Sequence, residues 1–319
     1  MNSKPGSSES YDSVQDPRDI LFEVVRLTVS RLMEADDWET IIDDLIPRLA
    51  KAFAVDWIGL YQLEEEDNIG LTCKLLAYTH ISDRDTEQCN INLWEAFFRF
   101  PHYASLRSQL LSDRVFFENF SNESAVVREL LQNSGVLSIL AIPVYVNQEC
   151  WGFLVSDECS VERDWTELEI NALTIVANAL SASIHRIRTE KIRSATLRIS
   201  EAAHSAENLE TLFASIHQIV NELMPAKNFY IALYDPVEDL ISFPYDIDEY
   251  DEQFPPQKPG RGLTEYVLRS GKPLLATPKV FDELVSQVEK SRWISFVGVV
   301  DCPYRERLVR KRQIYKRCC

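Results

Sequence analysis

The sequence contains no run of the roughly 18 apolar residues that a membrane-crossing helix needs, and its start is neither basic nor apolar. Neither a spanning helix nor a secretory leader is therefore expected. There is no CxxC pair and no Cys/His cluster at zinc spacing, so no metal is expected. There is no G-x-S-x-G elbow, and no glycine loop ending in G-K-[ST] for phosphate. The five histidines are scattered, without a nucleophile at a fixed offset. Positive charge is also scarce: 33 Lys and Arg against 50 Asp and Glu give a net charge of −17. Nucleic acid and anionic membrane surfaces carry the same sign, which disfavours both as partners. The seven cysteines, irregularly spaced, fit reduced thiols and a cytoplasmic location.

Apolar residues make up 45% of the chain, enough for a core in each of two domains. Residues 1–18, rich in Ser, Gly and Asp, read as a flexible lead-in. Helical spacing marks Asp19 to Glu34 and, after a cap at Asp36 or Asp37, a face of Ile41, Ile42, Leu45, Leu49 and Phe53. Trp57 to Leu63 and Leu71 to Tyr78 read as strands around an acidic turn. Asn92 to Arg99 and Ser121 to Asn133 read as helices. Leu137 to Val146 and Cys150 to Ser156 flank a polar turn, the clearest hairpin in the chain. A helix then starts with Asp164 as N-cap and Glu167 completing a capping box. No Gly or Pro interrupts the stretch from Trp165 to Asn208, so about 40 residues would span about 60 Å. Leu173, Val176, Leu180, Ile184 and Ile187 keep a 3/4 spacing, and Ile192, Ala195, Ile199 and Ala202 resume it after one step of five. Such a stripe predicts a homodimer seam over 165–203, or a helix packed on its own domains.

After Asn208 the order of elements begins again: a helix from Leu209 to Leu223, a strand FYIALY, an acidic turn and a strand LISFPY. That repetition implies a duplicated domain.

The stretch G-V-L-S-I-L-A-I-P-V-Y-V from Gly135, then W-G-F-L-V-S-D-E-C from Trp151 and R-D-W-T-E-L-E from Arg163, resembles GAF domains of bacterial sensor histidine kinases and cyclases. The second half resembles another through D-P-V-E-D-L-I-S-F at Asp235 and G-R-G-L-T-E-Y-V-L-R-S-G-K-P-L-L at Gly260. The resemblance implies an α+β fold: two PAS-like domains, each an antiparallel sheet flanked by helices, joined by a long helix. The expected boundaries are 19–163, 164–205 for the helix, and 206–298 for a second domain that looks truncated. At 299–319 the chain runs into a basic tail, with seven Lys or Arg and one Glu from Arg305 to Arg317. Codons for Val299 to Arg305 read one base later give Trp-Leu-Ile-Ala-Pro-Ile-Val, like a GAF return strand. The tail is therefore expected to be a frameshift product, an idea that resequencing an intact frame would sink.

The resemblance also implies a small-molecule pocket between sheet and cover. Its candidate lining is Tyr78, Trp94, Phe97, Phe98, Phe116 and Phe117, with Phe243, Tyr245, Arg261, Thr264 and Tyr266 in the second domain. The bland reading of the aromatic group is core packing. His80 and His102 flank the first pocket. The expected function is that of a non-catalytic sensory module whose ligand shifts the exit helix and, through it, a kinase or cyclase output partner. One alternative is the input fragment of such an enzyme, its output domain lost. Another is a GAF-type thiol reductase using Cys73, Cys89 or Cys150. The sequence names no cofactor.

Overall fold

A computed structural model describes residues 16–66, 70–80, 93–112, 115–121, 124–249, 254–277, 280–281 and 283–284. Cys89 and the 299–319 tail lie outside the described residues. The rest divides into two compact units between Thr189 and Glu190, where the sequence placed boundaries at 163/164 and 205/206.

In the first unit the helices α1 (Pro17–Glu34) and α2 (Glu39–Phe53) precede the strands β1 (Trp57–Glu66) and β2 (Gly70–His80). Asp16 caps α1 by accepting from the Arg18 amide at 2.9 Å, and Asp37 accepts from the Glu39 amide at the start of α2. Then come α3 (Leu93–Arg99), a 3-10 turn at Pro101–Tyr103, α4 (Ala104–Ser112), β3 (Phe116–Asn119) and α5 (Ala125–Ser134). The hairpin β4 (Ser138–Val146) and β5 (Glu149–Glu158) follows, turning through Asn147 and Gln148 at positive φ. The five strands form one antiparallel sheet in the order β2-β1-β5-β4-β3. β5 is therefore central although it comes last.

Gly152 explains how closely β5 approaches β1. A side chain there would place its Cβ 2.1 Å from the Tyr61 carbonyl oxygen.

Strand alternation sends successive side chains to opposite faces. One face carries Ile58, Leu60, Leu140, Ile142 and Leu154, packed on α1, α2 and the helix α6 (Glu167–Ser205). The other carries Trp57, Tyr61, Ile139, Ala141, Phe153 and Val155, covered by α3, α4 and α5.

The start of α6 corrects the sequence reading. Thr166, not Asp164, caps it: the Thr166 Oγ1 accepts from the Glu169 amide, and the Glu169 carboxylate accepts from the Thr166 amide at 2.8 Å. Both pairs obey the capping-box spacing, and Glu169 wins because Arg163 also holds it. The stripe Leu173, Val176, Leu180, Ile184 and Ile187 is buried in the unit's own core. That half of the expected seam packs on its own domain, because the strands of the α1/α2 face present a matching apolar surface. Beyond it, Ile192 and Leu197 are exposed. No helix among the described residues is long and apolar enough to cross a membrane.

The second unit holds the end of α6, then α7 (Leu209–Leu223), β6 (Phe229–Asp235), β7 (Leu240–Ile247) and α8 (Leu263–Ser270). Asn208 caps α7 through the Thr211 amide. β6 and β7 pair antiparallel, and Gln257 bridges to Ile241. Within this unit Arg198 is paired to Glu222.

Candidate functional site

The site grows from two central strands and one short helix. β1 contributes Trp57 and Tyr61, β5 contributes Phe153 and Asp157, and α3 contributes Trp94 and Phe97. Gly59 lets the Trp57 ring lie along the strand. A Cβ at Gly59 would come within 2.2 Å of that ring, which instead stacks toward Tyr61 and Tyr78 at 6.0 and 6.2 Å. Phe153 is the hub, with ring centres 4.8 Å from Trp94, 5.5 Å from Tyr61 and 5.7 Å from Phe98. Phe97 meets Trp94 edge-on at 5.3 Å and Phe116 at 6.2 Å. Such pairs contribute about 0.5–1.5 kcal/mol each beyond area burial. Arg107 of α4 donates to the Phe97 and Phe100 carbonyls at 2.6 and 2.7 Å, satisfying the end of α3.

Two polar atoms in this region have no partner. Trp94 Nε1 and Asp157 Oδ1 are buried and unbonded. Trp94 is 1% exposed and Asp157 6%. Asp157 lies opposite both Trp57 of β1 and Ile139 of β4, so it shares their face. Burial pushes its carboxyl well above the usual carboxylate range, and the Glu158 charge adds to the shift. Burial likewise raises the Tyr61 hydroxyl, with the Asp157 charge contributing.

One residue further on, the chemistry belongs to the opposite face. Glu158 accepts from Arg163 at 2.5 Å, and Arg163 also pairs with Glu169 of α6. The same guanidinium donates to the Phe53 and Ala54 carbonyls at 2.8 and 3.0 Å, closing the C-terminus of α2, and lies 4.9 Å from the Trp165 ring. Arg163 thus ties the end of β5, the end of α2 and the first turn of α6 together. Near it, Asp56 accepts from the Cys159 and Ser160 amides at 3.0 and 2.8 Å. Burial works to raise the Asp56 carboxyl, but these hydrogen bonds and that of the Ser160 hydroxyl outweigh it and hold it below its usual value.

The sequence candidates separate accordingly. Trp94, Phe97, Phe98 and Phe116 come together in the aromatic core. Tyr78 is half exposed on the edge strand β2, at the rim beside Trp57. Phe117 does not join them. It alternates away from Phe116 to the other face and is 55% exposed, because β3 is an edge strand. His102 is exposed, its ring 3.9 Å from that of Tyr103. Trp57, Tyr61, Phe153 and Asp157 were missed: strand period alone does not say which face is the covered one.

In the second unit, Thr264 bonds the Tyr230 hydroxyl at 2.7 Å, and Phe243 packs between Tyr230 and Phe254. Tyr245 bonds His217 Nδ1 at 3.0 Å, while His217 stacks on Phe229. Arg261 and Tyr266 are exposed. Phe243 and Thr264 thus meet at Tyr230, while Tyr245 meets His217.

Burial raises the Cys150 thiol to about 11, away from the depressed value a nucleophile needs. Neither Cys73 nor Cys150 is in a disulfide, but Cys159 is disulfide-bonded, against the expectation of reduced thiols throughout. Spacing along the chain is silent on a bond that the fold closes. Among the described residues no His, Cys, Asp and Glu cluster could hold a metal ion.

A part of the methanogenesis regulatory histidine kinase FilI of Methanothrix harundinacea is 31% identical over 108 residues, 32% of this chain and 12% of that protein. An uncharacterised protein of Azorhizobium caulinodans is 23% identical over 186 residues, 56% of this chain and 24% of its own length. The chain thus spans a quarter or less of these relatives. Among solved structures, the phycoerythrobilin-bound GAF domain of a cyanobacterial phytochrome aligns with a TM-score of 0.44 and 18% identity, covering 53% of this chain and 97% of that one. A bacteriophytochrome of R. palustris aligns with a TM-score of 0.48 and 16% identity, over 70% and 50%. The GAF domain family model matches residues 37–184, from the start of α2 into α6. Residues 37–184 are a GAF domain.

Proposed function

We propose that this chain is a sensory input module. A small ligand binds on the aromatic face of the first unit, and the change reaches α6 through the β5–Arg163–Glu169 connection. The observation that carries the reading is the contrast between the two faces of one sheet. Both faces keep buried polar atoms without a partner, but only the α3/α4/α5 face sets an unpaired carboxylate, Asp157, beside aromatic rings. A buried carboxylate without a partner is far more costly than an unpaired hydroxyl or indole N–H, which supports placing the ligand on the Asp157 face.

The output is a partner, or a kinase or cyclase domain, and the chain itself is not an enzyme. The likeness to part of a regulatory histidine kinase supports this. Residues 206–298 act as a second, incomplete GAF domain joined by α6, and a cytoplasmic homodimer formed through that helix is the working unit. Mechanistically, the ligand must bind one of two states more tightly to shift their balance.

Native mass spectrometry of the protein purified from its own host tests the reading. A small molecule retained at one per chain is the expected result. A ligand-free spectrum, together with unchanged hydrogen exchange in α6 across a library of small aromatic compounds, would overturn it.

A further inference from the structure

The hairpins β1–β2 and β6–β7 each follow a helix, but their edges end differently. β1 is flanked on both sides, by β2 and, across Trp57–Gln62, by β5. Its residues Trp57, Ile58, Leu60 and Tyr61 are buried. Among the described residues β6 pairs with β7 alone, in a sheet of two strands. None of the β6 residues is buried, and Leu233 is 44% exposed. Two strands make a marginal sheet in water, whereas three or more sharing an apolar face are stable.

The two edges of this sheet are unlike. The register between the strands shifts at Ile231/Leu233, and the extra residue falls in β7, where Phe243 and Pro244 stand against Ala232 alone. Pro244 has no N–H to offer a further strand, and Gln257 already occupies that edge at Ile241. In β6, by contrast, Phe229 to Tyr234 holds no proline, no charge and no extra residue. An apolar edge without these guards is a template for another strand. The occupant is legible in β6 itself. Tyr230-Ile231-Ala232-Leu233-Tyr234 reads nearly alike in both directions about Ala232. Laid antiparallel on a second copy, Tyr230 of each chain meets Tyr234 of the other, Ile231 meets Leu233, and the small Ala232 meets itself. Directly opposed aromatic and aliphatic side chains are the pairs that stabilise a sheet. Lys227 of each copy then lies opposite the acidic corner Asp235–Asp239 of the other, where unlike charges fix the register.

We propose that β6 is a docking edge for a second copy of this chain. Two β6 strands pair antiparallel about Ala232 and join two hairpins into one four-stranded sheet, β7-β6-β6-β7. The contact uses the same surface on both copies, so it closes at two. It is separate from the α6 seam and needs no ligand.

The test is hydrogen exchange of the full chain, read by mass spectrometry over a dilution series. The β6 amides are expected to exchange about tenfold or more slowly at high than at low protein concentration. Leu233→Lys, which places a charge on the exposed edge, is expected to abolish that dependence. Its thermal melt at low concentration checks that it folds, and Tyr234→Lys, also at an exposed position, replaces it if it does not. Rapid exchange of β6 at every concentration means that the edge stays open, and slow exchange at every concentration means that the same chain covers it. Either result overturns the proposal. A concentration dependence that survives in the Lys variant puts the contact elsewhere, α6 included, and overturns it as well.

Discussion

A carboxylate buried without a partner is a cost that the resting fold carries, and Asp157 shows it at the level of one side chain. Its folded form holds a proton more tightly than the unfolded chain does. The penalty is therefore absent below the unfolded value of 3.8 and grows as pH rises through the folded one. Asp157→Asn is expected to raise the Tm at neutral pH, with a gain that shrinks as melts are repeated toward about pH 4. A fall in Tm at neutral pH would mean that the carboxylate already has a partner. Gly152→Ala should behave oppositely. Its Cβ would meet the Tyr61 backbone oxygen, which has no flexible end to swing aside, so a loss of about 3 kcal/mol is expected in denaturant titration.

Among the elements, Arg163 decides how the exit helix begins. Replacing it by Met leaves Glu158 buried without its cation, at a cost of about 3 kcal/mol. The two acids it holds shift in opposite directions. At Glu158, burial outweighs the pairing with Arg163 and raises the carboxyl. At Glu169, burial works upward too, but the bonds from Thr166 and Arg163 prevail and lower it. Glu169 thus contributes stability present above its unfolded value of 4.5, lost as pH falls through the folded one. That acid-side loss should be smaller in Arg163→Met, a comparison of two pH–stability curves. The hairpin β4–β5 and the helix α2 were legible because period and turn residues agreed there. α4 and β3 were not: Ala104 to Ser112 lacks a strong apolar stripe, and a four-residue edge strand is too short to show a period. The N-cap of α6 was misread by two positions because Asp164/Glu167 and Thr166/Glu169 satisfy the same spacing. Only the fold brings Arg163 to one of them.

For the molecule as a whole, α6 offers different surfaces along its length. Leu180 is buried in its own domain, whereas Ile192 and Leu197 are exposed. If the helix makes a homodimer, Ile192→Asp with Ile199→Asp, both on the apolar stripe, should yield monomers by sedimentation with the Tm of the first unit intact. Leu180→Asp should unfold that unit at any concentration. Unchanged mass for the double variant would remove the seam from this part of the helix. The helix and two strands after Asn208 were legible as α7, β6 and β7, but the partners of the aromatic candidates there were not. Tyr245 is taken up by His217 and Thr264 by Tyr230, pairings that sequence distance conceals.

Asp157 and Glu158 are neighbours in the central strand, yet one faces the aromatic rings and the other the Arg163 clamp. The wall between the two chemistries is a single peptide unit. Their assignment to faces is a matter of parity: one residue inserted between Phe153 and Asp157 would turn the orphan acid toward α6 and the clamped acid toward the rings. A chain with every one of these side chains intact would then have its two neighbouring acids exchanged between the faces.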